Sequence, residues 1–354
     1  MYIVILIVSF YFFFFSIELL AGGFQLLGSN FAQILIQNTT NPLVGFSTGL
    51  LATAIVQSSS STTTIIVGLI ASKTLTIRNA IPMIMGANIG TTITNTLVSL
   101  THIKKGKEFK NALQAATVHD FFNLLTALTF LPIEYFFHPL ERIATILAHV
   151  FQNVGGFAVV SPLKLILEPL IKVVVQSPLK KFPLVILIIA ILVLLISLKY
   201  IVDSMTKISK RLVDKYLNTV FFRNLGTSFL SGLVLTALVQ SSSCTTSLAV
   251  PLTAIGILDL RRVLYYTMGA NVGTTITAII AALITKSSAA LAIAFSHLLF
   301  NVFGIVLNTL IYREVAMKIA TAFAEFSVKH KTIMFFYLIA QFYLVPILIV
   351  IFGR

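Results

Sequence analysis

Two clusters of consecutive polar residues stand out in a chain that is otherwise strongly apolar. Residues 57–64 read Q-S-S-S-S-T-T-T, and residues 240–247 read Q-S-S-S-C-T-T-S. Buried hydroxyl and amide groups are costly unless they have partners. Hydroxyls that bond back to helical carbonyls and let helices pack closely would explain one or two of these residues, but not eight in a row. The clusters therefore predict contact with a polar ligand or an ion.

The chemistry that suits these clusters is oxyanion binding. Each cluster lies between two short apolar segments, so the helix that follows it begins in apolar surroundings with free backbone N–H groups. The N-terminus of a helix carries positive partial charge and binds anions. Two such ends brought together make a site of N–H groups and hydroxyls without a fixed cation, suited to phosphate. The predicted lining is Gln57, Ser58, Ser59, Ser60, Gln240, Ser241, Ser242 and Ser243.

A second motif follows each cluster and has the composition of a cation site. It reads G-A-N-I-G-T-T at 86–92 and G-A-N-V-G-T-T at 269–275. A tolerated helix kink is the plainer interpretation. Two glycines beside an asparagine more readily unwind a helix and free its carbonyl oxygens, which are hard ligands suited to Na⁺. The candidate Na⁺ ligands, including one carboxylate farther along the chain, are Asn88, Thr91, Thr92, Asn271, Thr274, Thr275 and Asp120.

The carboxylate lies beside a histidine in another apolar segment. Asp120 follows His119, and the second half of the chain has Leu298 at the matching position. A carboxylate within a membrane segment is by default a candidate for function. Its structural alternative is to serve as a partner for His119 or for a polar helix face. A serine hydrolase is a further alternative, but the chain has no G-x-S-x-G motif and duplicated nucleophiles do not suit one catalytic centre. We expect no enzyme activity.

The motifs belong to an internal duplication. Shifting the chain by 183 positions pairs residues 53–94 with 236–277 without a gap, and 23 of the 42 pairs are identical. We therefore expect two structural repeats. A His and an Asn at i, i+4 spacing recur once a five-residue gap is allowed, as His119 with Asn123 and His297 with Asn301.

The composition places the chain in a lipid bilayer. Hydrophobic residues make up 57% and charged residues 10%, and the mean hydropathy is +0.99, outside the range of soluble domains. About 20 apolar residues span a bilayer. The first run is expected to be an uncleaved helix, because no basic residue precedes it as in a signal peptide. About seven spanning helices are expected, near 2–21, 79–101, 111–131, 183–202, 261–285, 289–312 and 332–352.

The segments around each Q-S-S-S motif are too short to cross the membrane alone. The apolar arms cover 43–56 and 62–72 in the first half, and 226–239 and 245–257 in the second, against about 20 residues for a span. We expect each pair to form a re-entrant hairpin with its tip at mid-depth. The first half then crosses the membrane three times, an odd number, so the second half is inverted relative to it.

Basic residues predict the orientation of the chain. The net charge is +14, and the 25 Lys and Arg lie in connecting segments. This pattern favours positive-inside topology and lipid contact over a nucleic-acid partner. Residues 102–110 carry four lysines, whereas the matching connector carries Lys286, so 102–110 is expected in the cytoplasm. Cys244 is the only cysteine, which excludes an intramolecular disulfide.

The expected fold is an all-α polytopic membrane protein of two inverted-topology repeats, each with a re-entrant helical hairpin and a broken transmembrane helix. Segments 24–38 and 205–220 are expected at the membrane surface. The predicted divisions are 1–135 for the first repeat, 136–181 for a connecting extramembrane or interfacial segment, 182–312 for the second repeat, and 313–354 for an interfacial helix and a final spanning helix.

The motifs resemble those of the type II sodium-dependent phosphate cotransporter family. The resemblance covers 43–135 and 226–304 through the paired Q-S-S-S and G-A-N-x-G-T-T motifs, V-H-D-F-F-N and L-P-I-E. It implies Na⁺-driven phosphate uptake, with phosphate held between the two tips. It also implies that Asp120 makes transport electrogenic, because electroneutral relatives have glycine there. The chain lacks the long, cysteine-containing loop of animal members, so we expect a bacterial member in the inner membrane.

The expected function is secondary transport that couples inward Na⁺ movement to phosphate uptake, with Na⁺ as the coupling ion and no other cofactor. Na⁺ that binds first would supply the positive charge that the anion site lacks. The alternatives are a Na⁺-independent anion channel with the same polar lining and a phosphate exporter. A homodimer in the lipid bilayer is suggested by the resemblance alone.

Overall fold

The computed structural model is all-helical and describes residues 2–37, 41–152, 162–207, 217–312 and 314–353. Its sixteen α-helices within these ranges are α1 (Tyr2–Gln37), α2 (Pro42–Val56), α3 (Ser59–Ala71), α4 (Ile77–Gly90), α5 (Ile93–Leu100), α6 (Gly106–Phe137), α7 (Pro139–Phe151), α8 (Pro162–Gln176), α9 (Pro183–Lys207), α10 (Leu225–Val239), α11 (Ser242–Ala254), α12 (Leu260–Thr285), α13 (Ser288–Leu307), α14 (Val315–Lys329), α15 (Lys331–Ile339) and α16 (Val345–Phe352). A 3₁₀ helix and three π-helical turns lie at Pro178–Lys181, Leu217–Phe221, Asn308–Tyr312 and Ala340–Leu344.

Six of the predicted spans are long, apolar helical segments. Within the described ranges these are Tyr2–Gly23, Gly106–Phe137, Pro183–Ile201, Leu260–Thr285, Ser288–Tyr312 and Lys331–Phe352. The protein is therefore a multi-pass membrane protein. The seventh predicted span, 79–101, is divided between α4 and α5, of 14 and 8 residues, and neither helix alone is long enough to cross a bilayer.

Each Q-S-S-S motif joins two short helices into a hairpin. The first hairpin is α2 with α3, and the second is α10 with α11, with 15 and 13 residues in the two arms of each. Asparagine caps begin both. The Asn41 side chain accepts from the N–H of Leu43, and Asn224 forms a capping box with Thr227. These caps satisfy N–H groups that the first helical turn leaves free.

Glycines bring the first arm of each hairpin directly against the helix that carries G-A-N-x-G. A methyl group on Gly86 would collide with the carbonyl oxygen of Phe46, and one on Gly269 would collide with that of Phe229. The contacts are equivalent under the 183-residue shift. Small residues allow helix backbones to approach this closely in apolar surroundings. The glycines therefore fix the position of each hairpin against its own repeat.

The two G-A-N-x-G helices differ in the structure. In the first repeat, a turn at Thr91 and Thr92 separates α4 from α5, whereas α12 runs through the second motif without a break. The prediction of a broken helix is therefore wrong for the second repeat. At the break, Thr92 Oγ1 donates to Asp120 Oδ1 at 3.0 Å. The second repeat has Leu298 in that place, which accepts no hydrogen bond. Thr92 and its counterpart Thr275 both contact the carbonyl three residues earlier in their own helices, so the contact with Asp120 is what distinguishes the first repeat.

The connecting segment packs on the repeats through two helices. Helix α7 contacts α13 and α4, and α8 contacts α1. Residues 24–37 of the predicted surface segment 24–38 continue α1 instead of forming a separate element. Of the second predicted surface segment, α9 extends to Lys207, and 208–216 lie outside the described residues.

One end of the helix bundle is marked by an ion pair between α4 and α7. Arg78 Nε lies 3.5 Å from Glu141 Oε2. We call this the Arg78 end. Asn41, which begins the first hairpin, donates from its amide to the carbonyl oxygen of Gly353 at 3.2 Å. Asn41 directly precedes Pro42, which shares a groove with Arg78, and α2 packs along α4. The first hairpin therefore starts at this end.

The opposite end carries two ion pairs to α14 and its N-cap. Lys110 Nζ lies 2.7 Å from Glu325 Oε1, and Arg261 pairs with Glu314. The hydrogen bond from Lys110 lowers the pKa of the Glu325 carboxyl. We call this the Arg261 end. Leu225, the first residue of the second hairpin, lines a groove with Arg261, so the second hairpin starts at this end.

Candidate functional site

The first Q-S-S-S motif forms the tip between α2 and α3. Gln57 ends α2 with a left-handed backbone (φ 58°, ψ 24°), which is uncommon for a residue with a side chain. Ser58 is extended, and its Oγ caps α3 by accepting from the N–H of Ser61 at 3.2 Å. The reversal at Gln57 directs the N-terminus of α3, with its free N–H groups, to the tip.

The second motif has the same geometry. Gln240 is also left-handed (φ 56°, ψ 28°). Ser241 is extended, and its Oγ accepts from the N–H of Cys244 at 3.4 Å. A left-handed residue with a side chain costs about 1–2 kcal/mol. Because this left-handed conformation occurs at both tips despite its cost, we infer that each tip needs it to reverse the direction of the chain.

Both tips open into one cavity of about 430 Å³. A water molecule occupies about 30 Å³, so the cavity has room for a small oxyanion together with ions or water. Helices α1 and α8 form the facing wall. The lining residues are Ile17, Glu18, Ala21, Gln25, Gln57, Ser58, Ser59, Ser60, Ser61, Thr94, Leu167, Glu168, Ile171, Gln240, Ser241, Ser242 and Ser243. The structure thus brings all eight predicted anion-site residues to one place.

The first tip is held by side chains from two other helices. Thr94 Oγ1, in α5, donates to Gln57 Oε1 at 3.0 Å, and Gln57 Nε2 donates to the Ala54 carbonyl at 2.9 Å. From α1, Gln25 Nε2 donates to Ser61 Oγ at 3.4 Å. The amide of Gln57 is therefore held at both of its polar atoms.

Six buried side chains form a second polar site, which we call the inter-repeat cluster. Its members are Asn88, His119, Asn123, Asn271, His297 and Asn301. His119 Nε2 donates to Asn271 Oδ1 at 2.7 Å. Its counterpart, His297 Nε2, donates to Asn88 Oδ1 at 3.2 Å. Each histidine therefore bonds the asparagine of the other repeat.

The asparagines of this cluster also form hydrogen bonds between the two repeats. Asn271 Nδ2 donates to Asn123 Oδ1 at 2.7 Å, and Asn88 Nδ2 donates to Asn301 Oδ1 at 3.1 Å. Asn88 Nδ2 also lies 3.0 Å from Asn123 Oδ1. Reciprocal contacts in which the two halves exchange places are what a two-fold axis produces. The inter-repeat cluster thus has the reciprocal contacts expected of two repeats related by a local two-fold axis.

Asn95 of α5 connects this cluster to the second hairpin. Its Oδ1 accepts from Thr246 Oγ1 at 2.9 Å and from Ser247 Oγ at 3.1 Å. Its Nδ2 lies 3.3 Å from His119 Nδ1. All four side chains are buried. The polar network therefore runs without interruption from α6 through Asn95 to the arm that follows the second tip.

The matching place in the second repeat holds Ala278. The residues equivalent to His119 and Thr246 are His297 and Thr63, both 1% exposed. Among the described residues, His297 Nδ1 and Thr63 Oγ1 have no hydrogen-bond partner. Helix α3, which carries Thr63, packs against α12 and α13. The network is therefore asymmetric, since one repeat has an amide bridge where the other has a methyl group and two unsatisfied polar atoms.

The candidate Na⁺ ligands gather around the inter-repeat cluster and are not among the described residues that line the cavity. Asn88 and Asn271 use both polar atoms of their amides within the cluster. The hydroxyls of Thr91, Thr274 and Thr275 donate to carbonyls three or four residues earlier in their own helices. These bonds leave the oxygen lone pairs of the threonines available to a cation.

Asp120 links the broken helix to the last span. The side chain is fully buried, and it accepts hydrogen bonds from Thr92 Oγ1 and from the hydroxyl of Tyr337 in α15. Within the described residues, no hydrogen bond joins it to His119, which instead contacts Asn271 and Asn95. The structural alternative of a His119 partner is therefore wrong.

Several residues of these sites escaped the sequence analysis. Glu18 and Gln25 had a signal, since they are polar residues seven positions apart, on one face of an apolar helix. Thr94 and Asn95 lie two and three residues after the G-A-N-I-G-T-T motif, and only Thr94 recurs in the second repeat. Tyr337 had no signal, because nothing in the sequence places α15 beside Asp120.

Comparison with known proteins matches both repeats. The model of the family described as Na⁺/Pi-cotransporter matches residues 12–151 and 193–331. Sodium-dependent phosphate transport protein 2B is 31% identical, both in Pongo abelii and in Homo sapiens, over 98% of this chain and 64% of the relative. Sodium-dependent phosphate transport protein 2A of Ovis aries is 30% identical over 95% of this chain and 65% of the relative. No solved structure matches the chain significantly.

The chain spans a little under two thirds of the length of these curated relatives. The two segments that the family model matches contain the two hairpins, their Q-S-S-S tips and all six members of the inter-repeat cluster. Together these segments cover well over half of the chain, and the chain belongs to the Na⁺/Pi-cotransporter family.

Proposed function

We propose that the protein is a secondary transporter that couples inward Na⁺ movement to the uptake of inorganic phosphate across the cell inner membrane. The observation that carries the proposal is the pair of Q-S-S-S tips, which share one backbone geometry and line one cavity. The family description and the names of the relatives, which refer to sodium and phosphate, support this cargo.

We further propose that the repeats are inverted and that both hairpins are re-entrant. The first hairpin starts at the Arg78 end and the second at the Arg261 end, yet their tips meet at one cavity. A 15-residue helix is about 22 Å long at 1.5 Å per residue, shorter than a bilayer core of about 30 Å. Opposite starts and a shared tip region are the arrangement that inverted repeats produce.

Phosphate is proposed to lie at the N-termini of α3 and α11, where backbone N–H groups and serine hydroxyls converge. Helix ends provide only partial positive charge. Among the described residues that line the cavity there is no Lys or Arg. A divalent anion there lacks a compensating full charge, and Na⁺ that binds first supplies it. This requirement is the physical reason for coupling.

For a charge-carrying Na⁺ we propose the break between α4 and α5. Asp120 would supply the anionic ligand, and Thr91, Thr92 and the carbonyls released at the break would supply neutral oxygens. The corresponding residues of the second repeat lie in a continuous helix without a carboxylate. The asymmetry supports one such ion in the first repeat and therefore electrogenic transport.

The decisive test is uptake of radiolabelled phosphate into proteoliposomes with an inward Na⁺ gradient or with choline in its place. We expect phosphate to accumulate with the Na⁺ gradient and not with choline. Leu238→Ala should accumulate phosphate to the same level, because Leu238 is an exposed residue of α10 that is not among the cavity-lining residues. Equal uptake with choline would identify a channel, and Na⁺-stimulated efflux without uptake would identify an exporter. Either result contradicts the proposal.

A further inference from the structure

Helix α1 carries a carboxylate within its membrane span and places it at the cavity. Glu18 lies inside the span Tyr2–Gly23 and lines the cavity beside both tips. Charged side chains within a span are costly and face a polar interior or a partner. Neither the repeats nor their motifs account for Glu18, because it lies outside the duplicated stretch.

Helix α1 contacts both tips, which defines where the carboxylate sits. Glu18 Oε1 lies 3.3 Å from the sulfur of Cys244, in the first turn of α11. Seven residues later, on the same face of the helix, Gln25 bonds Ser61 Oγ of α3 at 3.4 Å. The carboxylate therefore stands at the second tip, where the N-terminus of α11 begins.

No Lys, Arg or His among the described residues balances the full charge of Glu18, and the helix N-terminus beside it offers only partial positive charge. Among the described residues, Glu18 forms no ion pair with Lys, Arg or His, whereas Glu168, the other acidic residue of the lining, pairs with Lys172 at 2.7 Å. An anion and an unbalanced carboxylate repel each other when they share a cavity. Apart from Glu18 and Glu168, the polar side chains of the lining are hydroxyls and amides, and oxygen atoms of these kinds are ligands of hard cations.

We propose that Glu18 is a Na⁺-binding residue of the cavity and that its ion lies next to the transported anion at the second tip. The inference rests on the proposed function, since it gives the cavity its own coupling cation. It is separate from the Na⁺ proposed at Asp120, which lies at the break and does not line this cavity. The Glu18 carboxylate attracts Na⁺, and the bound ion then cancels the repulsion that the carboxylate exerts on phosphate.

The test is direct binding of ²²Na⁺ to the purified full-length protein, without phosphate, together with the Na⁺ dependence of phosphate uptake. We expect Glu18→Gln to bind one Na⁺ fewer at saturation, or to raise its half-saturating concentration about tenfold, as loss of one charged ligand predicts. Glu18→Asp should retain the ion with weaker affinity. The matched control is Glu168→Gln, which should change the half-saturating Na⁺ concentration much less.

A second readout uses the unmutated protein, in case Glu18→Gln does not fold. Cys244 is buried, so below the unfolding temperature a small thiol reagent reaches it only when the second tip opens. Na⁺, but not choline, should change the rate of this slow modification, because the sulfur is a direct neighbour of Glu18. The inference is overturned if Glu18→Gln binds Na⁺ like the parent, if it alters only the pH dependence of uptake, or if Na⁺ leaves the Cys244 rate unchanged. If the parent shows no Na⁺-dependent uptake, the proposed function fails, while ²²Na⁺ binding still decides the role of Glu18.

Discussion

Ala278→Asn is expected to stabilise the protein, because it supplies the amide that the second repeat lacks. The 183-residue shift pairs Ala278 with Asn95, whose amide bridges His119 to two hydroxyls of the second hairpin. In the second repeat, His297 Nδ1 and Thr63 Oγ1 are buried without partners among the described residues. An asparagine at 278 would donate to the imidazole and accept from the hydroxyl.

The size of the effect follows from these contacts. Each new hydrogen bond to a buried group contributes about 0.5–1.5 kcal/mol, and ordering the new side chain costs up to about 1 kcal/mol. The net gain is about 1–2 kcal/mol. The reverse change, Asn95→Ala, leaves Ser247 Oγ and His119 Nδ1 unsatisfied, at about 1–3 kcal/mol each. The two substitutions should therefore change stability in opposite directions, with the loss larger than the gain.

Thermal unfolding can be followed in detergent with a dye that fluoresces on reaction with thiols. Cys244 is the only cysteine and is fully buried, so the dye signal reports its exposure on unfolding. At about 2 °C per kcal/mol for a chain of this size, we expect Ala278→Asn to raise the midpoint by about 2–4 °C. Asn95→Ala should lower it by at least about 4 °C.

Ala278→Leu is the matched control, because leucine has nearly the size of asparagine but no amide. It should not raise the midpoint. An Ala278→Asn protein that melts at or below the parent temperature, while Asn95→Ala melts lower, would refute the reasoning. That result would show that the side chain at 278 does not reach His297 and Thr63, and that the two-fold pattern of the inter-repeat cluster does not extend to this position.

Two further predictions concern the cavity and the charge-carrying site. Gln57→Ala and Gln240→Ala should each raise the phosphate concentration for half-maximal uptake about tenfold or more, and both variants should stay folded. If either variant has normal affinity for phosphate, that residue is not part of the shared site. Asp120→Gly should keep Na⁺-dependent uptake but lose its response to an imposed potassium-diffusion potential, since one charge moved is worth about 2.3 kcal/mol per 100 mV. Tyr337→Phe removes one donor to Asp120 but keeps the carboxylate, so this control should retain the voltage response. If Asp120→Gly responds to voltage as strongly as the parent, the carboxylate is structural.

The sequence by itself determined the membrane class, the duplication and the two tips. Hydropathy and length identify spans because a bilayer core of fixed thickness requires about 20 apolar residues. The Q-S-S-S segments were recognisable as hairpin tips because their arms are too short to cross. These are local properties, which pattern and length reveal without knowledge of neighbours.

Only the tertiary structure decided which polar groups pair with each other. The two G-A-N-x-G segments are nearly identical in sequence, yet one helix breaks and the other does not, and only the first has a carboxylate, Asp120, in contact with the threonine at that point. Likewise, Asn88 and Asn271 were predicted from composition as ion ligands, and the fold engages their amides in the inter-repeat cluster. A buried polar group is stable only with its partner, and the partners of these two asparagines include residues of the other half of the chain, 148 to 213 residues away. Sequence patterns contain residue types and spacings, whereas the pairing is set by how two packed repeats face each other.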